Sequence, residues 1–212
     1  MIEVRARDGT ELFNLGPSYG KWMPLGEVPK VMQDAMTSVE DRRFYSHFGV
    51  DPVGIVRSLW VRVQSGHWRQ GGSTITQQLA RNLFLNNSKT ATRKFNEMIY
   101  ALALESKFSK QQILELYLNK VYFGGGAYGV DAASRKFFGH TASSLNLPEA
   151  AIIAGLVKAP SNYAPTADQK AALDRAAVVL QTMKDAGTLS DSEIAATDLK
   201  SMKFAPEGGQ NA

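Results

Sequence analysis

The spacing of apolar residues constrains the fold of this chain more than any other feature. From Val28 to Val39, apolar side chains recur every three or four residues, and Pro29 stands near the start of this stripe. Such spacing places apolar residues on one face of a helix, and proline is favoured in a first helical turn. Similar stripes follow through most of the chain, so the sequence predicts a mostly α fold.

Polar residues and breakers predict where the later helices begin and end. A helix is expected from Asp51-Pro52 toward Gln64, with Ser65-Gly66 as its break. Serine or threonine at a helix start accepts a hydrogen bond from a free backbone N–H, and glycine commonly follows a helix end. The expected N-cap residues are Ser73 or Thr74, Thr92, Ser109 and Ser190. The expected ends are Pro160 for the apolar helix in LNLPEAAIIAGLVKAP and Gly187 for the first arm of a helical hairpin.

Two segments depart from helical spacing. The N-terminal segment IEVRARDGTEL alternates apolar and polar residues and carries a turn signal at Asp8-Gly9. This pattern predicts a short hairpin or an edge strand, a minor β element near the N-terminus. The glycine-dense stretch FGGGAYGV is expected to form a flexible turn, because glycine adopts backbone angles that other residues avoid.

Composition limits the kinds of site and of membrane contact. The 212-residue chain has no cysteine, which excludes disulfides and thiolate metal sites. No stretch approaches the roughly 18 apolar residues of a membrane-spanning helix. Any membrane anchor of the natural protein is therefore expected outside this sequence.

Positive charge is concentrated in one interval. Between Asp51 and Glu97 there is no acidic residue, whereas seven basic residues fall there. They are Arg57, Arg62, Arg69, Arg81, Lys89, Arg93 and Lys94. A field of one sign attracts phosphate groups, nucleic acid or an anionic bilayer. A solvated basic face without a ligand is the alternative interpretation.

Two acidic residues, Glu40 and Glu97, are candidates for chemistry. Glu40 is expected at a helix end beside aromatic residues, where partial burial would raise its pKa and let it accept a proton. Glu97 lies opposite an apolar helix face, so its own face is free to line a cleft. That apolar face comprises Phe95, Met98, Ile99 and Leu102. On pattern alone, a charged helix end and an exposed i,i+4 pair with Arg93 are the simpler interpretations.

The stretch GGSTITQQLARN, from Gly71 to Asn82, gathers hydrogen-bonding groups without an acid. Its glycines permit close approach to a ligand, and the helix start that follows offers free N–H groups to an anion. It lacks the Lys-Ser/Thr ending of a nucleotide P-loop, which favours phosphate or sugar over ATP or GTP. A polar helix start with solvent-facing glutamines is the alternative. Elsewhere, no histidine pair has zinc-ligand spacing, and serine, histidine and aspartate form no recognisable catalytic arrangement.

Five ordered segments resemble the motifs of the peptidoglycan glycosyltransferase domain, glycosyltransferase family 51. This domain occurs in class A bifunctional penicillin-binding proteins and in monofunctional transglycosylases. The segments are EDRRFYSHFGVD, GGSTITQQLARN, RKFNEMIYALALE, KQQILELYLNKVYFGGGAYGVDAAS and LNLPEAAIIAGLVKAPSNYAP. The resemblance extends from Arg5 to about Ala196, and it favours the functional interpretations of Glu40 and Glu97.

The resemblance implies a mostly α, lysozyme-like fold in which a head and a smaller jaw flank a cleft. Residues 1–212 are expected to form one glycosyltransferase domain, with the head at about 1–47 and 70–200 and the jaw at about 48–69. Residues 197–212 are expected to be a linker-like tail. In the jaw, apolar residues alternate with arginines, which suits contact with a bilayer surface. These apolar residues are Ile55, Val56, Leu59, Trp60, Val63 and Trp68.

The resemblance also implies roles in polymerising lipid II into β-1,4 glycan strands, with inversion at the anomeric carbon and departure of undecaprenyl pyrophosphate. Glu40 is expected to be the general base. Glu97 is the second carboxylate, either holding a divalent cation or orienting basic neighbours. The residues expected to bind substrate are Ser73, Thr74, Gln77, Gln78, Arg81, Arg93, Lys94, Asn119 and Lys158. The residues expected to support the site are Asp41, Phe44, His47 and Gly72. Arg81 stands where many members carry lysine, which keeps the charge but changes its geometry.

The implied partners are lipid II, the growing lipid-linked glycan strand, a membrane surface and moenomycin-type inhibitors, with no nucleic acid. No organic cofactor is implied, whereas Mg²⁺ or Mn²⁺ at Glu97 is allowed. The implied role is cell-wall synthesis at the periplasmic or extracellular face of the bacterial cytoplasmic membrane, in a bifunctional penicillin-binding protein or a monofunctional enzyme. Two rival hypotheses are a lysozyme-like enzyme that cleaves glycan and a basic nucleic-acid-binding module.

Overall fold

The computed structural model describes residues 2–5, 11–15, 18–65, 72–85 and 90–206. Several sequence-based expectations fall on positions outside the described residues or side chains. These are the turn at Asp8-Gly9, the end of the tail, and Leu59, Arg62, Trp68, Arg69, Gly71 and Lys89.

Helices form most of the fold, as the apolar spacing predicts. They are α1 (Lys30–Glu40), α2 (Pro52–Ser65), α3 (Ile75–Phe84), α4 (Ala91–Lys107), α5 (Lys110–Lys120), α6 (Val130–Phe138), α7 (Leu147–Leu156), α8 (Pro160–Tyr163), α9 (Gln169–Asp185) and α10 (Asp191–Ala196). The mostly α class is therefore confirmed, whereas the division into head and jaw stays a prediction.

Two small sheets accompany the helices within the described residues. An antiparallel hairpin pairs β1 (Ile2–Arg5) with β2 (Glu11–Leu15), which confirms the β element expected near the N-terminus. In the second sheet, β5 (Ala127–Tyr128) lies between β3 (Ser18–Tyr19) and β4 (Tyr122–Gly124). The second sheet brings the N-terminal segment against the middle of the chain.

The glycine-rich stretch is a hairpin rather than only a flexible turn. Strand β4 runs antiparallel to β5, and the turn between them uses positive φ angles at Gly124, Gly125 and Gly126. A Cβ on Gly124 would lie 2.4 Å from the carbonyl oxygen of Pro160. The glycines thus allow the hairpin to pack closely against the start of α8. The density of glycine in the sequence predicts a turn but does not reveal this packing.

The core is built around α7, which packs between α1 and α9. Every residue from Glu149 to Leu156 is buried, so this part of the helix has no solvent-facing side, and its sequence is apolar from Ala150 onward. The buried helix expected from the sequence is therefore confirmed. Helix α3 packs against both α4 and α5, and this second group of helices carries most of the candidate site.

Helix boundaries follow capping chemistry, with two corrections. Thr74, Ser109 and Ser190 cap α3, α5 and α10 as predicted. Helix α4 is capped by Thr90 instead of Thr92, because the Thr90 side chain accepts the free N–H of Arg93 at 3.1 Å.

The end of α7 also differs from the expected position. The helix ends at Leu156, and Pro160 begins α8 instead of ending α7. Proline suits either place, because it lacks an N–H and is tolerated in a first turn. The expected helical hairpin near the C-terminus is present, with Gly187 at φ 75° after α9.

Helix α2 presents apolar side chains to solvent. Val53, Val56, Trp60 and Val63 are exposed, and Trp60 keeps 64% of its surface accessible. Within the part of the chain that the structure describes, no helix combines the length and the apolarity required to cross a bilayer. An exposed apolar patch of this kind is typical of a surface that contacts a partner or a membrane.

Candidate active site

Glu40 is the last residue of α1, at the point where the chain leaves the core. Its side chain is partly buried. Gln78 on α3 donates a hydrogen bond from Nε2 to Glu40 Oε2 at 2.8 Å. The Gln78 amide oxygen in turn accepts the buried hydroxyl of Tyr117 on α5 at 2.9 Å. Three helices therefore fix the orientation of one carboxylate.

The surroundings of Glu40 adjust its affinity for a proton. Burial raises the pKa of the Glu40 carboxyl above its ordinary value of 4.5, and the charge of Asp41 adds to that rise. The hydrogen bond from Gln78 and the positive charges of Arg175 and Arg81 oppose it. A partly buried carboxylate with a raised pKa is suited to accept a proton from a weakly acidic hydroxyl.

Tyr117 remains a hydrogen-bond donor in this arrangement. Burial raises the pKa of its phenol well above 10.0, and the nearby Glu40 charge raises it further. Because the hydroxyl keeps its proton, it directs the oxygen of Gln78 toward itself and the amide NH₂ toward Glu40.

The loop after Glu40 is braced against the start of α3. The Asp41 carboxylate accepts hydrogen bonds from the backbone N–H of Ile75 at 3.0 Å and pairs with His47 Nε2 at 2.8 Å. Both side chains are almost fully buried. This geometry agrees with the supporting role expected for Asp41 and His47, because it fixes the first motif to the second.

Thr74 and Gln77 form a capping box at the start of α3. Thr74 Oγ1 accepts the N–H of Gln77, Gln77 Oε1 accepts the N–H of Thr74, and Thr74 Oγ1 donates to the carbonyl of Gly49 at 2.6 Å. Both side chains are buried. They were expected to bind substrate, but in this geometry their polar atoms are engaged with protein partners and position the helix.

Phe44 packs against Lys110 of α5, which is itself paired with Glu105 of α4. Its ring is buried, and Lys110 Nζ lies 4.5 Å from the ring centroid. Lys110 also pairs with Glu105 at 2.6 Å, and Glu105 accepts the hydroxyl of Thr76 at 2.6 Å. A cation over an aromatic face is favourable, particularly with little water present. The arrangement agrees with a supporting role for Phe44.

Glu97 lies between two cations on the inner side of α4. Its side chain is 0% exposed. Arg93 Nη1 donates to Glu97 Oε2 at 2.7 Å, and Lys94 Nζ donates to Glu97 Oε1 at 2.6 Å. Lys94 Nζ also donates to Ser73 Oγ at 2.6 Å. The cluster of Ser73, Arg93, Lys94 and Glu97 is called the cationic cluster below.

The orientation of α4 reverses the simpler expectation from the sequence. The i,i+4 pair of Arg93 and Glu97 is present, but it is buried and not a surface pair. The apolar face opposite Glu97 points outward, and Phe95 keeps 62% of its surface exposed. The helix wheel gave the correct relative positions but not which side faces the protein, because packing against α3 decides that.

The two acids are brought to the same end of α3. Glu40, Arg57, Gly72 and Ser73 line a small depression of about 40 Å³, and Ser73 contacts Lys94 of the cationic cluster. A volume of this size holds little more than one water molecule. Ser73 thus lines the same depression as Glu40 and is linked to Glu97 through Lys94. Gly72, which was expected to support the site, also lines the depression.

The donor set around Glu97 does not fit a divalent cation. Each Glu97 oxygen already accepts a charged donor, and the described residues contain no group of three or more His, Cys, Asp or Glu that could hold a metal ion. Mg²⁺ is commonly held by one or two carboxylates together with waters and substrate phosphates, but here the only carboxylate of the cluster is already paired with two cations. The steps proposed below therefore use no ion at Glu97, and chelation tests whether Mg²⁺ or Mn²⁺ acts there.

A larger groove opens on the other side of Gln78. It has a volume of about 680 Å³, and Gln78, Arg81, Lys120, Tyr122, Val157 and Pro160 are among its lining residues. Arg81 therefore lies in the groove, and its charge acts on Glu40. Its expected role in substrate binding stays a prediction. Lys158 is exposed and stands between Val157 and Pro160, without lining the groove itself.

Asn119 faces the N-terminal segment instead of open cleft. Its amide donates to the carbonyl of Met23 and accepts the N–H of Met23, both at 2.8 Å. It also donates to the carbonyl of Glu115 at 2.8 Å. Asn119 was expected to bind substrate, but here its amide anchors residues that precede α1.

Sequence reasoning missed Arg175, Tyr117 and the Glu105–Lys110 pair. Arg175 lies three residues after buried Ala172 and four before buried Val179, so it is on the apolar stripe of α9. Its stem crosses α7 at Gly155, whose position leaves space for the Arg175 Cγ. A charged residue on an apolar stripe was the signal that could have identified it.

A mostly helical domain with an oriented, partly buried acid beside a cationic cluster has the features of an enzyme that makes or breaks glycosidic bonds. The family model described as Transglycosylase matches residues 8–184. The chain therefore belongs to the transglycosylase family, the peptidoglycan glycosyltransferases of glycosyltransferase family 51.

Similar proteins agree with this assignment. Penicillin-binding protein 1A of Escherichia coli (strain K12) is 43% identical over 209 residues, which cover 97% of this chain and 25% of that protein. A protein of Cupriavidus necator named as a candidate transglycosylase is 41% identical over 191 residues, which cover 90% of this chain and 81% of that protein. The crystal structure of penicillin-binding protein 1A from Haemophilus influenzae has a TM-score of 0.57 and 25% identity, covering 96% of this chain and 21% of that one.

These lengths define what the similarity covers. The chain spans about a quarter of the length of the penicillin-binding protein 1A relatives. The similarity to the solved structure extends over nearly all of this chain, which agrees with the fold class expected from the sequence.

Proposed function

We propose that this domain polymerises lipid II into β-1,4 glycan strands. The observation that carries the proposal is the setting of Glu40, which is hydrogen-bonded by Gln78 and lines the same depression as Ser73 of the cationic cluster. An acid with a raised pKa beside clustered cations suits a reaction that removes one proton and releases one anion.

Glu40 acts as the general base in this proposal. It takes the proton from the 4-hydroxyl of the acceptor lipid II while that oxygen attacks C1 of the donor muramoyl sugar. The bond from C1 to the diphosphate oxygen breaks, the new bond forms on the opposite face, and the α linkage becomes β. A sugar hydroxyl is a weak nucleophile, so a positioned base contributes about 10²–10⁴-fold.

The cationic cluster stabilises the diphosphate as it leaves. Lys94 is partly exposed, and Arg93 Nε is buried with no hydrogen-bond partner in the described portion of the chain. A buried unpaired donor is costly unless a ligand satisfies it, and guanidinium geometry suits phosphate oxygens. Glu97 keeps both cations oriented, and Arg81 adds charge from α3.

The lipid part of the substrate requires contact with a bilayer. Helix α2 exposes Val56 and Trp60 next to Arg57, and the outer face of α4 exposes Phe95 and Ile99. Apolar side chains bordered by cations suit an anionic membrane surface. We place the reaction at the outer face of the bacterial cytoplasmic membrane, in cell-wall synthesis, with moenomycin-type compounds as expected inhibitors.

Incubation with purified lipid II, followed by separation of the products by length, tests the proposal. Longer glycan strands and released undecaprenyl pyrophosphate support transfer. Shortened fragments from peptidoglycan sacculi, without strand growth, would indicate the lysozyme-like alternative. Salt-sensitive oligonucleotide binding that persists in Glu40→Gln, with neither glycan reaction, would indicate the nucleic-acid-binding alternative.

A further inference from the structure

Three tyrosine rings form one wall of the large groove. Tyr19 stacks on Tyr128 with ring centroids 5.2 Å apart, and Tyr128 contacts Tyr122 at 4.8 Å. All three line the groove that also includes Gln78, the hydrogen-bond partner of Glu40. The tyrosine wall therefore lies in a groove that Gln78 connects to the proposed base, Glu40.

Tyr19 is the outermost ring of this wall. Its residue is 58% exposed although its ring is stacked on a neighbour. Exposure of a large aromatic ring to water costs free energy unless a ligand or partner covers it. The ring thus offers an aromatic face to whatever occupies the groove.

The N-terminal segment holds Tyr19 in place from several directions. Strand β3, which contains Tyr19, pairs in parallel with β5. The next residue, Gly20, approaches the backbone N of Ala132 so closely that a Cβ would lie 2.3 Å from it. The Lys21 N–H then donates to Asp131 Oδ2 at 2.9 Å.

Further bonds fasten the same segment to α5. Glu115 accepts the indole N–H of Trp22 at 3.1 Å and the backbone N–H of Leu25 at 2.8 Å. Asn119 brackets Met23 with a pair of 2.8 Å hydrogen bonds. Because the segment is fixed by these bonds and the Tyr19 ring is stacked on Tyr128, the ring loses little conformational entropy when a ligand binds. This is the advantage of a preorganised site.

The chemistry of the wall suits a sugar ring. A pyranose presents a face of C–H groups, and an aromatic face carries the negative end of a quadrupole. Hydroxyl and acetamido groups at the rim can bond to polar residues such as Gln78, Asn82 and Lys120, which share the groove. Sites with aromatic walls and a few polar groups are typical of small-molecule recognition.

We propose that Tyr19 is a sugar-stacking residue that binds an uncharged pyranose ring of the glycan strand in the large groove. This inference rests on the proposed function, because it takes the glycan strand as the substrate. It also gives Asn119 a positioning role, since Asn119 holds the segment that carries Tyr19.

Binding of a lipid-free β-1,4-linked N-acetylglucosamine–N-acetylmuramic acid oligosaccharide, measured by calorimetry, tests the inference. Tyr19→Ala should weaken binding about tenfold, and Tyr19→Phe should stay within about twofold of wild type because the ring is kept. Phe108→Ala, which removes an exposed ring outside the groove, should bind as wild type does. Equal affinity of Tyr19→Ala and wild type would overturn the inference.

Magnetisation transfer in wild type provides a second test that needs no variant. Saturation of aromatic protons should transfer to the axial C–H protons of one sugar ring, and absence of transfer in a bound complex would contradict stacking. If Tyr19→Ala instead weakens binding of farnesyl diphosphate alone, the groove belongs to the lipid and the inference fails. If wild type polymerises lipid II but Tyr19→Ala keeps its affinity or no magnetisation transfer is seen, only the stacking role of Tyr19 is lost. If wild type does not polymerise lipid II at all, the proposed function itself is overturned.

Discussion

Gln78 donates a 2.8 Å hydrogen bond to Glu40 and thereby links the helix that ends at the acid to the helix that begins beside the cationic cluster. Burial raises the pKa of Glu40, and this hydrogen bond limits the rise. The proton affinity of the proposed base therefore depends on the position of α3, which the capping box at Thr74 fixes.

The hydrogen bond from Gln78 should control the acid limb of the pH–rate profile. A general base must be deprotonated, so polymerisation increases as pH rises through the pKa of Glu40. Gln78→Leu removes a bond that lowers that pKa, so the acid limb should move to higher pH and the rate near pH 6 should fall roughly tenfold. Tyr117→Phe should also move the acid limb to higher pH, but by a smaller amount than Gln78→Leu does. An unchanged limb in Gln78→Leu would contradict this role.

Glu40 should lower stability at neutral pH. Because its folded-state pKa is raised above the unfolded value, its contribution to stability is fully present below the unfolded pKa and is lost as pH rises through the folded pKa. Glu40→Gln resembles the protonated acid, so it should be more stable than wild type near pH 8 by on the order of 1 kcal/mol. Urea unfolding should show this difference shrinking near pH 4. A Glu40→Gln variant less stable at both pH values would refute the assignment.

The capping box should be measurable as stability. Thr74→Ala removes the N-cap of α3 and leaves the buried Gly49 carbonyl without its donor. The free energy of unfolding should fall by about 1–3 kcal/mol, measured by urea titration. Thr74→Ser keeps the hydroxyl and serves as the matched control, with a loss of under about 1 kcal/mol. Equal losses in the two variants would show that the hydroxyl bonds are not the cause.

The cationic cluster should work without a divalent ion. Arg93 and Lys94 already neutralise Glu97, so chelation with EDTA should change wild-type polymerisation by less than about twofold. Glu97→Gln should lose about tenfold or more, because the two cations lose their shared partner. A large loss in EDTA that added Mg²⁺ or Mn²⁺ restores would support the metal site expected from the resemblance.

The sequence predicted most helices because their signals are local. The stripe around Met32 and Met36, the cap at Ser109 and the stop at Gly187 each depend on neighbouring residues alone. Thr90 and Thr92 carry the same capping chemistry two residues apart, so local sequence does not distinguish them.

Features that depend on distant residues were not predictable in this way. The hairpin of β4 and β5 depends on pairing of β5 with β3 and on the close approach of Gly124 to Pro160. The side of α4 that faces inward depends on packing against α3. The two acids were identified as candidates by residue type and motif. Two hydrogen bonds, from Gln78 to Glu40 and from Lys94 to Ser73, form only when distant segments pack together. The same packing brings the charge of Arg175 close enough to lower the pKa of Glu40.

The polymerisation rate of Glu40→Gln on lipid II tests the central claim most directly. The substitution preserves size and the contact with Gln78 but removes the base, so the rate should fall by about 10²–10⁴-fold while lipid II affinity stays within a few-fold of wild type. Polymerisation by Glu40→Gln at close to the wild-type rate, with unchanged affinity, would contradict the account.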